Sequence, residues 1–451
     1  MKLTQLKVNN LFDQFSYSLN FSEENAIFII TGPNGYGKTT ILKIIEALSK
    51  QSFIYFYSIL FDSIEFFFDN GQKFCIKQEI TPVVVQSGRT VFSDKIIESE
   101  RKTLFSYFLN DENIKEKFVI SKIELDNIIK GLPLELKPNE SQKDYKSDAF
   151  ENYAKKHKFI YDMLLKTQKC IQIPILLRGL SVKFIPALKL NVSGTVIQNN
   201  FLLGNQVFPV QTAESMKKSA IENTVSKLQR QLKVSRDKYL LKSQEVDLQL
   251  INDLLNDNYE ILSEEKYEEK LEILTKKIEE LKQFDLVESL EIKKYIKDKE
   301  QILSAYINGI EKKLCCYDEI LTKLKVFNDL LNELKFKNKR FVYSLNEGLS
   351  VRLKTDGSVL NLNKLSSGEQ SEIIMLYDFL FEIQKDSILL IDEPENSLHV
   401  AWQIRIKEDL KKISEASGIQ VIIATHSPQV LAGNYEDSFD LLENNTQKKS
   451  I

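Results

Sequence analysis

An α/β fold with a long helical segment set into its middle is predicted by three features of this 451-residue chain. Ala26-Ile-Phe-Ile-Ile30 is an apolar run of strand length that passes through a glycine-rich octapeptide into Thr40–Leu48, whose apolar residues recur at helical spacing. Two later runs, Ser387-Ile-Leu-Leu-Ile391 and Gly418-Ile-Gln-Val-Ile-Ile-Ala424, have the same character and end in polar residues. From 210 to 308 there is neither proline nor glycine, which only long helices explain.

Taken in order, residues 1–31 read as short strands leading into Gly32-Pro33-Asn34-Gly35-Tyr36-Gly37-Lys38-Thr39, with Thr40 opening the helix behind it. This is a complete G-x-x-x-x-G-K-[ST] loop. Its glycines reach backbone angles that other residues avoid, so successive N–H groups converge on one concavity that holds an anion. Lys38 adds a point charge for β- and γ-phosphates, and the Thr39 hydroxyl is a ligand for Mg²⁺. Next, Ser63–Asp69 and Lys73–Ile80 flank Asn70-Gly71, the preferred dipeptide of a tight hairpin. Residues 93–170 are charged and mainly helical in pattern, and Val182–Leu190 reads as a strand and turn that returns to the core.

Heptad spacing fills the stretch that follows. Ile221, Val225, Leu228 and Leu232 step by four, three and four. Tyr267, Leu271, Leu274, Ile278 and Leu281 do the same, as do Leu303, Ile307, Ile310, Leu314, Tyr317, Leu321 and Leu324. Polar breaks near 256–263 and 283–292 separate three helices, as a coiled arm, a small bundle or a helical lid. A further hairpin near 341–362 turns at Asp356-Gly357.

Composition bounds the function. Lys and Arg number 61 against 64 Asp and Glu, a net charge of −3, so no global basic field advertises nucleic acid. The start, Met-Lys-Leu-Thr-Gln-Leu, has no apolar signal core, and no apolar run approaches the roughly 20 residues that span a bilayer. A soluble, cytoplasmic protein with no membrane association is expected. Cys75, Cys170, Cys315 and Cys316 lack C-x-x-C spacing and are too few for a disulfide framework, so they read as reduced packing residues.

The later runs carry the other motifs. Leu365-Ser366-Ser367-Gly368-Glu369-Gln370 opens a helical pattern and resembles the signature motif of ABC-type ATPases, with Ser367 where glycine is commoner and Glu369 in place of glutamine. Ile391-Asp392-Glu393-Pro394 resembles the second nucleotide motif of that family, and Ala424-Thr425-His426-Ser427-Pro428 its switch-histidine segment. The wording Asp392-Glu-Pro-Glu-Asn-Ser-Leu-His399, with Trp402-Gln403 behind it, is similar to the branch containing RecF, Rad50, SMC and OLD-type ATPases. The resemblance covers roughly 1–90 and 340–445 and says little about 91–335.

It implies an ABC-type P-loop ATPase head with a mixed sheet and an antiparallel β subdomain, interrupted by a helical or coiled-coil insertion. The expected division is residues 1–92 and 339–451 as the two halves of the head, 93–180 as a helical insertion, 181–212 as a return strand and 213–338 as the arm. It also implies ATP and Mg²⁺ as cofactors. Asp392 and Thr39 would hold the cation, Glu393 would activate the attacking water, and His426 would contact the γ-phosphate. Ser366, Ser367, Gly368 and Glu369 would act in trans on nucleotide held by a second copy, in a head-to-tail dimer or higher homo-oligomer. A Mg²⁺-sensing glutamine should follow the first hairpin, with Gln78 and Gln86 as candidates.

No nuclease motif is legible. There are too few paired histidines for an HNH site and no Asp-x-Asp suited to a Toprim site, and Asp126 with Glu135-Leu-Lys137 is a match any charged helix makes. Size, a two-part core and a modest arm most resemble the ATPase subunits of bacterial anti-phage systems, in particular the AriA family of the PARIS system. That resemblance implies an oligomeric scaffold that sequesters a separate Toprim nuclease and releases it when a phage trigger protein is sensed. Septu- and retron-type ATPases with an HNH partner are the near alternative. A RecF- or SMC-like repair ATPase that clamps DNA is the alternative of a different class.

Overall fold

Alternating burial, the period of a half-exposed strand, organises the first part of the chain. The computed structural model describes residues 1–21, 27–85, 96–109, 116–139, 142–145, 147–157, 159–170, 172–186, 219–256, 260–288, 290–333, 336, 338–396, 405–431 and 438–446. They form two units, Met1–Leu190 with Gln384–Ile451, and Asn191–Ile383.

The first unit holds two sheets. β1 (Leu3–Leu11), β2 (Phe15–Asn20), β4 (Ser63–Phe68), β5 (Gln72–Val85), β6 (Ile96–Leu109) and β7 (Glu116–Ser121) make an antiparallel sheet in the order β2-β1-β4-β5-β6-β7. Leu6, Val8, Ile64, Phe66, Phe74, Ile76, Phe105 and Phe118 point to one face and are buried. The Phe105 and Phe118 rings stack at 4.3 Å, and Phe53, from helix α2 (Phe53–Ser58), meets Phe118 edge-on at 4.8 Å. The predicted tight turn forms between β4 and β5, where Gly71 takes φ +73.

The second sheet is parallel, in the order β14-β3-β13-β12-β8, from β3 (Ile27–Thr31), β8 (Val182–Ile185), β12 (Ile388–Asp392), β13 (Gln420–Ala424) and β14 (Ser438–Asp440). Its inner strands read as unbroken apolar runs because both faces are covered. Helix α1 (Lys38–Ser49) lies against it, and its stripe of Ile41, Leu42, Ile44, Ile45 and Leu48 is wholly buried.

One expectation needs correction here. Residues 93–180, expected to be helical throughout, begin with β6 and β7 and turn helical only from α3 (Lys122–Lys130) onward through α4 (Asp148–Lys156), α5 (Phe159–Thr167) and α6 (Gln172–Arg178). Thr103, Phe105 and Tyr107 alternate inward on β6, and the charged run before them conceals that period of two. The division between the two units falls inside 339–451, between Ile383 and Gln384. Of the return strand 181–212, the described part is β8 and its flanks, and residues 187–212 lie outside the described residues.

In the second unit, α7 (Ala220–Leu255) runs 36 residues, about 54 Å at 1.5 Å each. It packs along α9 (Glu300–Leu314), which also meets α8 (Glu264–Gln283) and continues through a 3-10 turn into α10 (Asp318–Glu333). Of the heptad positions, all but the half-buried Leu271 are buried, which makes a small bundle. Beside it β9 (Lys339–Ser344), β10 (Gly348–Leu353) and β11 (Val359–Leu360) form an antiparallel sheet, with Gly357 at φ +71 in the predicted turn. Helix α11 (Ser367–Tyr377) follows.

Gly348, at φ +77, marks where β10 touches α7: a Cβ there would lie 2.6 Å from the Val225 carbonyl oxygen. Gly348→Ala is expected to lower unfolding free energy by about 1–3 kcal/mol, read by chemical denaturation, and an unchanged midpoint would contradict this contact.

Candidate functional site

Strands β3, β13 and β12 run parallel and side by side, with Ile30 opposite Ala424 and Ala424 opposite Asp392. All three therefore end at the same edge. The phosphate-type loop leaves β3, Thr425-His426 leaves β13, and Asp392-Glu393 closes β12. The crevice beyond the carboxyl ends of parallel strands is where α/β folds place ligands.

In the loop, Gly32, Gly35 and Gly37 have φ of +140, +90 and +87, values that only glycine takes without strain. A Cβ on Gly32 would lie 3.2 Å from the Leu441 Cβ, so β14 and the residue after it back the loop. Tyr17 donates its hydroxyl to the Tyr36 carbonyl at 2.9 Å, and Phe15 packs on the Tyr36 ring at 5.2 Å. Pro33, Asn34 and Gly35 are exposed, while Thr40 is half-buried in the first turn of α1.

Lys38 is buried, and its Nζ donates to the carbonyls of Gly32 at 2.7 Å and Pro33 at 3.2 Å. Burial pushes its ammonium down in pKa, while Glu393, Asp392, Glu395 and Asp440 pull it back up. Thr39 donates its hydroxyl to Asp392 Oδ2 at 2.8 Å. The other oxygen, Asp392 Oδ1, is buried with no hydrogen-bond partner among the described residues. A buried carboxylate oxygen that lacks a donor fits a cation, and hydroxyl and carboxylate oxygens are the hard ligands that Mg²⁺ takes.

Glu393 sits at φ +44, a left-handed angle that costs a side-chain-bearing residue about 1 kcal/mol or more. Its N–H still reaches the Ala424 carbonyl at 2.8 Å, and its Oε1 lies 3.4 Å from His426 Nδ1. Glu395 Oε1 lies 3.2 Å from the same nitrogen. The structure thus brings Lys38, Thr39, Asp392, Glu393 and His426 to one edge of one sheet. Sequence reading placed Glu395 and Thr425 inside motifs but gave them no role, and it missed Asp440, at the end of β14, and Leu441 after it.

Ser366, Ser367 and Gly368 belong to the second unit, exposed at the start of α11. Ser366 caps the helix. Its Oγ accepts the Glu369 N–H at 3.3 Å, and its own N–H donates to Glu369 Oε2 at 2.9 Å. Glu369 also pairs with Lys339. Burial alone would raise the Glu369 carboxyl, but Lys339 and the Ser366 groups outweigh it and hold it below the ordinary range. The departure at position 369 is therefore a capping-box residue, legible as S-x-x-E, whose carboxylate is turned back on its own helix.

Gln78 is committed elsewhere: its Nε2 donates to the carbonyls of Phe56 at 2.8 Å and Ile59 at 2.9 Å, and its Oε1 accepts the Phe61 N–H at 3.2 Å. It braces the turn before β4. Gln86, His399, Trp402 and Gln403 lie outside the described residues.

Burial raises the Asp392 carboxyl, more than the Thr39 hydroxyl lowers it. A raised carboxyl favours the fold fully below its unfolded value, and that favour is lost as pH climbs through the folded one. Asp392→Asn should therefore stabilise the nucleotide-free protein at neutral pH, by about 1 kcal/mol, with the gap closing as pH falls through the carboxylate range. Thermal melting across pH checks this, and a less stable variant at neutral pH would contradict it.

The AAA ATPase domain model matches residues 1–431. An uncharacterized ABC transporter ATP-binding protein of Methanocaldococcus jannaschii is 33% identical over 81 residues, 18% of this chain, which spans 30% of that relative's length. Among solved structures, an SMC head domain from Thermotoga maritima aligns with TM-score 0.33 and 12% identity, covering 97% of this chain and 92% of the other. An SMC head bound to the C-winged helix domain of ScpA aligns with TM-score 0.30 and 12% identity, over 96% and 91%. With a family match that runs from the first strand to the segment after His426, the chain belongs to the AAA ATPase domain family.

Proposed function

We propose that this chain is an ABC-type ATPase that binds ATP with Mg²⁺, hydrolyses it between two copies of itself, and works as the scaffold of an anti-phage complex. The observation that carries the hydrolytic part is the Thr39–Asp392 hydrogen bond, 2.8 Å long, which joins the loop after β3 to the end of β12 beside Glu393. γ-Phosphate transfer depends on positioning and charge neutralisation more than on covalent chemistry.

Each residue has a part in that. The loop amides and Lys38 bind the β- and γ-phosphates, Lys38 exchanging the neutral carbonyls of Gly32 and Pro33 for anionic oxygens. Thr39 and Asp392 would hold Mg²⁺, which would supply positive charge against the phosphates. Glu393 takes the proton of the attacking water. His426 turns its Nδ1 edge to Glu393 and Glu395, so its Nε2 edge is the one that meets the γ-phosphate. The start of α11 from a second copy supplies the Ser366 hydroxyl proton and the Gly368 backbone N–H, and the Glu369–Lys339 pair removes a free negative charge from that approach.

The scaffold part rests on the resemblance in size, two-part core and modest helical arm to the ATPase subunits of anti-phage systems. No helix among the described residues is long and apolar enough to cross a membrane. In this account ATP biases the assembly between holding and releasing a separate Toprim-type nuclease when a phage trigger protein binds.

Glu393→Gln should lower kcat by about 10²–10⁴-fold with ATP affinity retained, and should keep a co-expressed nuclease bound through purification. Undiminished turnover would show that another group activates water. A complex without nuclease that instead binds DNA with a steep salt dependence would favour the DNA-clamping alternative.

A further inference from the structure

Glu395 lies in the 3-10 turn Pro394–Asn396, directly after β12, yet its side chain serves the neighbouring strand. Its Oε1 accepts the Thr425 hydroxyl at 2.7 Å and the His426 backbone N–H at 3.1 Å. His426 Nδ1 stands 3.2 Å from the same oxygen. One carboxylate oxygen therefore gathers a hydroxyl, an amide and an imidazole edge from two consecutive residues.

Exposure separates the carboxylates that face the ring. The Glu395 side chain is 8% exposed, that of Glu393 23% and that of His426 46%. The more exposed carboxylate is the one assigned to water, and the buried one has no comparable access to a substrate. Behind it the support is rigid. Thr425 is wholly buried, its N–H donates to the Ile30 carbonyl at 3.0 Å, and its Oγ accepts the Ser427 N–H at 3.0 Å.

A carboxylate that braced only backbone would be an ordinary turn residue; this one also reaches the imidazole. An exposed histidine on a short loop would otherwise sample several rotamers, and each must be lost when the γ-phosphate arrives. Fixing the ring in advance moves that entropy out of the hydrolytic step. We infer that Glu395 is a positioning residue for hydrolysis: it clamps the backbone and the Nδ1 edge of His426, holding the opposite edge toward the γ-phosphate and the ring beside Glu393. This rests on the ATP-hydrolysing reading above, in which His426 contacts the γ-phosphate.

The test is a double-mutant cycle on the full chain with ATP and Mg²⁺. Glu395→Ala should lower kcat by about 10–100-fold with KM for ATP changed by less than about twofold, as expected when the partner that orients a functional group is removed. In a His426→Ala background the same change should cost less than about twofold, because its effect passes through the ring. Glu395→Gln keeps an oxygen acceptor for Thr425 and for the His426 amide, and should lose only about three- to tenfold. If Glu395→Ala does not fold, the cycle is run with Glu395→Gln, whose smaller loss should likewise vanish without His426.

Losses that multiply across the cycle, or a raised KM at unchanged kcat, would overturn the positioning role. A slow His426→Ala chain with unimpaired Glu395 variants would overturn it alone. Unchanged turnover in His426→Ala, or no turnover by the unmodified chain, would remove the functional reading and this role with it.

Discussion

The register of three parallel strands is the constraint on which the rest depends. Ile30, Ala424 and Asp392 form one row across β3, β13 and β12, so the three segments that follow leave the sheet at one level. The three strands are almost wholly buried, and a slip of one residue would carry a site segment about 3.3 Å along the sheet, out of reach of its neighbours. The hydrophobic core thus sets the level at which polar chemistry begins. It brings the Thr39 hydroxyl to 2.8 Å from a carboxylate 353 positions away in sequence.

That arrangement works against stability before any nucleotide binds. Lys38 and Asp392 are both buried, the first pushed down and the second pushed up by loss of water. Glu393 adds a left-handed backbone angle to the same corner. Strain, opposed shifts and an orphaned oxygen collect where a polyanion and a cation would relieve all of them, as sites built for ligands tend to do. The remainder of the first unit supplies the compensation through its aromatic layer around Phe53, Phe105 and Phe118.

Much of the site was legible because its chemistry demands particular residues at short spacing. Gly32 to Thr39 is one contiguous signal, and Asp392-Glu393 and Thr425-His426 each mark the end of an apolar run. Less legible were contacts made by residues that any loop could carry. Glu395 reads as one more carboxylate after a strand, and only the adjacency of β12 and β13 reveals that it holds Thr425 and His426. Glu369 looked like a variant of a phosphate-binding motif, although its spacing from Ser366 already spelled a helix cap. In the fold, β6 was lost behind Glu98–Lys102, where charge masks alternation, whereas the heptads of α7 to α10 showed plainly, because nothing else tolerates so long a run without proline or glycine. Gln78 was a candidate by position alone, and its amide proved to be a backbone brace.

Shared catalysis between copies remains the central proposal, resting on the resemblance of Ser366 to Glu369 to a signature motif that acts on nucleotide held by a second copy. Its most direct test mixes two inactive chains, Lys38→Ala and Ser366→Arg, and measures ATP turnover by the mixture. If one copy's α11 completes the other's nucleotide pocket, mixed dimers contain one intact pocket and turnover returns. A mixture as inactive as its components, with mixed dimers shown to form, would contradict it.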